Sequence, residues 1–373
     1  MIWAFGASAI LLGFLTTLLI HRRLRQARTA AALKIGEAGG ISEECFVRIG
    51  GIDQWIGIRG ENKDNPILFV IHGGPGSSYA IFTPLLRSWE RHFTIIQWDQ
   101  RGAGKTFARA RSRASGELSM EQLTRDGLEV AEWLREQLKR DRVFMLASSF
   151  GSTFGLEMVR RRPDLFYAYV GTDQNTGMVR GRDEERAETM KRLHALGLGP
   201  GAKTLERIDP DPTHWTHEDF TADARWTMKS DPLGYRRTVA LLKDAIWYAP
   251  GWSLRDILAF FKGMRFSLKQ LLSEFSRFDA WERGTRFEVP FFIFQGEKDV
   301  LTTPALAREF FDDVVAPVKR MELIPDTGHF AAFQQPEKFL GLLLTHVRHL
   351  ADAPQDKSSP AVTVAAEMSP RAM

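Results

Sequence analysis

Cysteine is nearly absent: Cys45 is the single thiol in 373 residues. One thiol cannot build a disulfide framework, so the stapled small-domain class is excluded; a reducing compartment is compatible with this but not required by it. Charge of either sign is missing from residues 2–20, and acid is missing from residues 21–34, which hold Arg22, Arg23, Arg25, Arg28 and Lys34. The formal net charge of +4 resides in that segment, since without its five cations the chain stands at −1. The body of the chain therefore gives no support to nucleic-acid binding. What is abundant is apolar side chain, 44% of the residues, enough for one large core with an insertion.

The charge-free run from Ile2 to Ile20 is about as long as the ~20 helical residues, ~30 Å, that cross a hydrocarbon layer. Its positive charge follows the run, where a cleaved leader would carry it in front. The expectation is an uncleaved single-pass membrane anchor over 1–20 and a basic juxtamembrane linker over 21–40. The positive-inside bias would then put the catalytic domain in the cytoplasm.

From Cys45 onward two short strands (Cys45–Ile49, Trp55–Ile58) precede an alternation of apolar strands and amphipathic helices. Such alternation builds a parallel sheet covered on both faces. The alternation lapses after a sixth strand at Phe166–Gly171 and resumes at Val289. The predicted organisation is a first core segment over 41–178, a helical cap over 179–285, a second core segment over 286–350, and a disordered tail over 351–373.

The chemistry concentrates at three strand ends. Leu146-Ala147-Ser148-Ser149-Phe150-Gly151-Ser152 reads as an apolar strand that stops at a serine and restarts as a helix, with small residues two positions either side of Ser149. That is the pattern of a nucleophile elbow, with Ala147 where the motif has its first glycine. A serine hydroxyl needs a base, and the base needs a carboxylate that fixes its tautomer. Downstream, Val289–Asp299 delivers Asp299 after a strand and Arg320–His329 delivers His329 after the next, in the chain order serine, acid, histidine. An oxyanion needs backbone donors, and a lost donor costs about 2.7–4 kcal/mol of barrier. The strand Asn65–Ile71 ends in His72-Gly73-Gly74-Pro75-Gly76. This assigns one donor to Gly74, with Gly73 as the near alternative, and the other to the N–H of Phe150.

His72-Gly-Gly-Pro-Gly76, Asp99-Gln-Arg-Gly-Ala-Gly104 and the Ser149 elbow together resemble the proline iminopeptidase branch of the α/β-hydrolases, over roughly residues 41–178 and 286–350. The resemblance implies an eight-stranded, mostly parallel sheet, a helical cap after the sixth strand and hydrolysis through an acyl-enzyme. That family has Gly-Gly-Ser-Trp-Gly-Ser at the elbow, from which Ala147, Ser148 and Phe150 depart. Asp173, after the sixth strand, is a rival acid, but Gln295–Asp299 with Pro304 behind it resembles the family's acid loop. The resemblance also implies cap carboxylates that grip a substrate ammonium. Glu218, Asp219, Asp244, Glu274, Asp279 and Glu282 are candidates, none of them in a matching context.

Other groups are weighed against plainer roles. Trp215, Trp226, Trp247, Trp252 and Trp281 in the cap could line a pocket or form the cap's own core. His214 and His217 could ligate a metal but lack a third ligand run and read as a solvated helix start. Asp99-Gln100-Arg101 reads as a structural turn and His72 as a loop-ordering side chain. Arg109, Arg111 and Arg113 read as a solvated loop, with lipid headgroups as the lesser alternative. The sequence thus predicts a serine hydrolase needing no metal or organic cofactor, and the resemblance implies a proline iminopeptidase-like aminopeptidase on small peptides or amides with a free N-terminus. The alternatives are a carboxylesterase or lipid-ester hydrolase and, from another class, an inactive binding module whose sign would be a lost triad member. A serine at the elbow argues against epoxide hydrolase and dehalogenase chemistry.

Overall fold

The computed structural model describes residues 2–36 and 38–352; at residues 2–11 and 112–114 the description covers the backbone alone. Of the tail expected over 351–373, Ala351 belongs instead to a 3-10 turn, Arg348–Ala351; residues 353–373 and the side chain of Arg113 lie outside the described residues.

Eight strands form one sheet: β1 (Ile41–Ile49), β2 (Ile52–Gly60), β3 (Ile67–Ile71), β4 (Thr94–Asp99), β5 (Val143–Ser148), β6 (Phe166–Thr172), β7 (Phe291–Gly296) and β8 (Lys319–Ile324). Their spatial order is β1-β2-β4-β3-β5-β6-β7-β8. β1 and β2 are antiparallel, as are β2 and β4, and every later pairing is parallel. β3, β4, β5 and β7 are buried at every position, which is why they read as unbroken apolar runs rather than alternating ones. Alternate side chains feed opposite faces: Phe69, Ile71, Met145 and Ile293 enter one core cluster, while Leu68, Val70, Phe144, Phe292 and Phe294 enter the other.

The helices are α1 (Ile2–Ala32), α2 (Gly104–Ala114), α3 (Met120–Leu138), α4 (Phe150–Arg161), α5 (Arg182–Ala195), α6 (Gly199–Arg207), α7 (His217–Lys229), α8 (Pro232–Tyr248), α9 (Leu254–Phe275), α10 (Pro304–Asp313), α11 (Ala331–Gln334) and α12 (Pro336–His346). Five of them, α5–α9, lie between β6 and β7. Capping boxes Thr216/Asp219 and Ser253/Asp256 start α7 and α9. α5–α7 enclose a small core of their own around Leu193, Leu205 and Trp215, with Trp226 packed against it.

β4 and β5 flank β3 on opposite sides, so the chain leaving β3 and the chain leaving β5 diverge. That divergence is a topological switch point, and it opens a crevice beyond the carboxyl ends of the strands.

The expected membrane span is corrected, and with it the single-pass membrane localisation. Among the described residues no helix is long and apolar enough to cross a membrane. The side chains described in the apolar run begin only at Leu12, and the cationic part beyond it packs on protein. Arg22 is buried, donating from Nε to Trp247 O and from Nη2 to Trp252 O, both at 2.8 Å. Gln26 Nε2 donates to Ala249 O (2.7 Å) and Trp252 O (2.9 Å), and the Arg25 guanidinium lies 4.3 Å over the Tyr248 ring. α1 is thus clamped to the corner between α8 and α9.

Hydrogen bonds from a charged donor contribute about 1.5–3 kcal/mol each. Arg22→Met, which keeps the apolar stem and removes the donors, is expected to lower the melting temperature by several degrees and expose the α8–α9 corner to limited proteolysis. A variant that melts with the wild type and is cut no faster would show that the clamp contributes nothing.

Candidate active site

The corner after β5 is set by backbone strain. Ser149 has φ 52° and ψ −127°, a region that an L-residue occupies only when its surroundings over-determine it. Its N–H donates to Thr172 O on β6 (3.1 Å). Gly151 is obligatory, because a Cβ there would lie 2.6 Å from His72 O and 2.8 Å from Ile71 O. Ala147 is tolerated where the elbow motif has glycine because α4 presents Gly155 to it; a Cβ at 155 would come within 3.0 Å of the Ala147 methyl.

His329 and Asp299 arrive on adjacent loops. The loops after β7 and β8 pack so closely that a Cβ on Gly296 would lie 2.3 Å from Gly328 O. His329 Nε2 is 3.1 Å from Ser149 Oγ, and its Nδ1 is 2.9 Å from Asp299 Oδ2. Asp299 is held in turn: Oδ1 accepts the N–H groups of Leu301 (2.9 Å) and Thr302 (3.1 Å), and Oδ2 accepts Thr302 Oγ1 (2.8 Å). The three predicted side chains are therefore brought together as a continuous hydrogen-bonded chain.

The rival acid Asp173 is also present but bonds elsewhere. Its Oδ2 accepts Ser148 Oγ (2.9 Å), and its Oδ1 accepts the N–H groups of Phe330 (2.9 Å) and, more weakly, Ala331 (3.4 Å). Ser148 Oγ also meets Tyr79 Oη at 2.9 Å. Burial pushes the Asp173 carboxyl up to about 6, with Asp299 adding to the rise and His329 opposing it. For His329, burial alone would favour the neutral ring, but the carboxylates of Asp299 and Asp173 outweigh it and raise the imidazole to about 9. Asp173, Asp299 and His329 bring ligand atoms within 4.8 Å of one another, a spacing a cation could use, yet hydrogen bonds already engage each of those groups.

Gly74 lines the cavity in front of Ser149, whereas Gly73 lies behind it: a Cβ on Gly73 would fall 2.8 Å from Ser149 Cβ. Phe150 is the first residue of α4, a position whose N–H has no intrahelical acceptor. His72 orders this loop. Its Nδ1 pairs with Gly73 O (2.9 Å), its Nε2 accepts from Gln100 N (3.2 Å), and burial pushes it down to about 4 and so keeps it neutral. Arg101 is buried on Asp126 at 2.9 Å, and Arg109 lies on Asp53 with its guanidinium over Phe46.

The cavity has a volume of about 340 Å³ between the strand ends and helices α5, α7, α8 and α9. None of the five cap tryptophans lines it; its aromatic wall is Tyr79, Phe220, Phe260, Phe261, Phe275 and Phe330. The six candidate carboxylates lie elsewhere: Asp219 caps α7, Glu274 accepts Met120 N, and Asp279 caps the turn at Trp281. The acidic side chains that do face the cavity are Glu185 on α5 and Asp223 on α7, with Arg182 between them. Arg182 pairs with Asp223, while Glu185 accepts Thr303 Oγ1 at 2.7 Å. Burial raises both carboxyls above the ordinary range. A weak signal existed in the sequence: Arg182 and Glu185 share one helical face, as do Phe220 and Asp223, at i, i+3.

Residues 67–342 match the alpha/beta hydrolase family. The probable aminopeptidase YbaC of Bacillus subtilis (strain 168) is 26% identical over 316 residues, 81% of this chain and 95% of its own. A proline iminopeptidase of Lactobacillus delbrueckii subsp. bulgaricus is 23% identical over 302 residues, covering 80% and 96% respectively. Among solved structures, a proline iminopeptidase-related protein from Thermus thermophilus superimposes with a TM-score of 0.55 at 23% identity, over 83% of this chain and 98% of its own.

Only a neutral imidazole can take the Ser149 proton, so the phosphonylation rate of Ser149 by a fluorophosphonate is expected to rise with pH through an inflection near 9. Asp173→Asn removes one of the two anions that favour the imidazolium and moves that inflection to lower pH. An inflection that stays in place would assign the whole shift to Asp299.

Proposed function

The chain belongs to the alpha/beta hydrolase family, and on that premise we propose that it is a serine hydrolase of the proline iminopeptidase-like kind, an aminopeptidase that removes an N-terminal residue from small peptides or amides. Residues 41–178 and 286–350 are read as the catalytic core and 179–285 as its cap. In this reading Ser149 Oγ attacks the scissile carbonyl and gives its proton to His329 Nε2, while Asp299 holds the ring and stabilises the imidazolium. The N–H groups of Gly74 and Phe150 stabilise the oxyanion, aided by the positive end of α4. The imidazolium then returns the proton to the leaving nitrogen or oxygen, and a water, activated by the same ring, hydrolyses the acyl-enzyme.

The observation that carries the aminopeptidase reading is the acidic corner of the cavity. Two carboxylates and one cation leave it a net negative charge, and the cation is bound to Asp223. A substrate ammonium placed against Glu185 would be desolvated opposite a fixed anion. Names of relatives agree: a probable aminopeptidase and a proline iminopeptidase align over four fifths of the chain. The second reading, an ester hydrolase, draws support from the apolar remainder of the cavity wall.

Ser149→Ala is expected to abolish both fluorophosphonate labelling and hydrolysis of prolyl and alanyl arylamides. Glu185→Gln is expected to raise KM for those free-amine substrates roughly 10- to 100-fold, the equivalent of about 1.5–3 kcal/mol for a hydrogen bond to a charged group. Hydrolysis of p-nitrophenyl esters without an amine should change far less. Equal losses on both substrate types would remove Glu185 from ammonium recognition.

A further inference from the structure

The cavity in front of Ser149 has two chemically different halves, carried by different helices. All the charged lining from the helices, Arg182, Glu185 and Asp223, comes from α5 and α7, where it stands beside Phe220 and Met228; α8 and α9 supply no charge, only Leu242, Ile246, Phe260, Phe261 and Met264 with Thr238 and Phe275. Resting on the aminopeptidase reading, we propose that the substrates are aminoacyl conjugates of uncharged apolar amines or alcohols, with the free α-amine on the α5–α7 side and a long apolar leaving group along α8 and α9, rather than peptides ending in a free carboxylate.

The orientation follows from where the proton is returned. His329 Nε2 protonates the departing nitrogen or oxygen, so the leaving group lies beside this ring. The chain on both sides of His329 is joined to α8: after it, Gln334 Nε2 bridges His329 O (2.8 Å) and Thr238 Oγ1 (3.4 Å), and before it, Asp326 O accepts from Arg237 at 2.7 Å. The base therefore borders the apolar half. The acidic half borders the other loop, through the bond from Thr303 to Glu185.

The charge inventory excludes a free carboxylate at the leaving end. Among the described residues lining the cavity Arg182 is the only lysine or arginine; it sits on the acidic side, paired with Asp223 and stacked 4.7 Å over the Trp215 ring. The carboxylate of a short peptide product would enter an apolar wall whose nearest cation, the His329 imidazolium, is already paired with Asp299 at 2.9 Å, which is strongly unfavourable. An alkyl or aryl group meets the opposite situation. Apolar surface continues past the cavity wall along α9, where Phe261 of the lining is 54% exposed and Leu258, one turn before it, 60%, so a chain longer than the cavity has apolar surface to follow along that helix. The reaction balances as a simple hydrolysis: the C–N or C–O bond breaks, the oxygen of water ends in the amino-acid carboxylate, and the leaving amine or alcohol carries away the proton from His329.

The test is kcat/KM for L-prolyl n-alkylamides from butyl to decyl, beside prolyl-leucine amide and prolyl-leucine as the free acid. Each buried methylene is expected to raise kcat/KM about two- to fourfold until the lobe is filled, and the dipeptide amide should exceed the free acid at least tenfold. Met264→Lys should narrow that gap by giving the carboxylate a counter-ion. A rate independent of chain length, or a free acid cleaved as well as its amide, overturns the proposal while leaving the aminopeptidase reading intact. N-acetylation of the best alkylamide separates the two: unchanged cleavage after acetylation overturns the aminopeptidase reading and the amine half of this proposal together. Failure to cleave any of these amides, with Ser149 still labelled by a fluorophosphonate, overturns both.

Discussion

Two backbone turns occupy almost the same space at the switch point of the sheet, and the site exists because neither carries a side chain where they touch. A Cβ on Gly73 would fall 2.8 Å from that of Ser149, and one on Gly151 would fall 2.6 Å from His72 O. With those methyls absent, the loop after β3 and the elbow after β5 close to van der Waals contact. One turn then contributes Ser149 and the first N–H of a helix, the other the glycine-rich loop whose Gly74 lines the cavity. His72 fastens the arrangement: as a neutral ring it spans from Gly73 O to the backbone of Gln100 and so ties the loop after β3 to the loop after β4.

Charge is distributed around this contact in a way that separates orientation from position. Asp299 bonds the imidazole directly and fixes which nitrogen faces Ser149. Asp173 bonds the backbone just after His329 and the side chain just before Ser149. It therefore ties the loop carrying the base to the elbow carrying the nucleophile, without touching either reacting atom. Two buried carboxylates beside one imidazole favour the imidazolium strongly enough to overcome desolvation. The same charges stabilise the cation that forms when serine gives up its proton, and they reduce the fraction of neutral base at neutral pH.

Legibility in the sequence followed locality. The elbow, the glycine-rich loop and the loops bearing Asp299 and His329 are each written within about ten consecutive residues, next to strands buried on both faces, so residue order alone located them. The strand ends were less distinct: β1 and β2 extend to Ile41–Ile49 and Ile52–Gly60 because antiparallel pairing at an edge tolerates polar residues that read as loop. The cavity carboxylates were missed because Glu185 and Asp223 sit on separate helices and converge only in the folded cap. The apolar N-terminal run illustrates a different limit. Hydropathy and the following arginines read as a membrane anchor, but the structure spends Arg22 and Gln26 on the carbonyls of residues 247–252, a long-range partner that no local pattern announces.

Phe150 joins the chemistry to the cap. Its N–H is one of the two donors assigned to the oxyanion, and its ring is buried against Phe275 of α9 at 5.0 Å, edge to face, with Phe275 in turn 6.0 Å from Phe220 of α7. Phe275 and Phe220 both line the cavity. An aromatic chain thus runs from the elbow into α9 and α7. The departure of this elbow from the tryptophan usual in proline iminopeptidases is therefore a change in the joint between core and cap. It leaves the hydrogen-bonded chain of Ser149, His329 and Asp299 untouched.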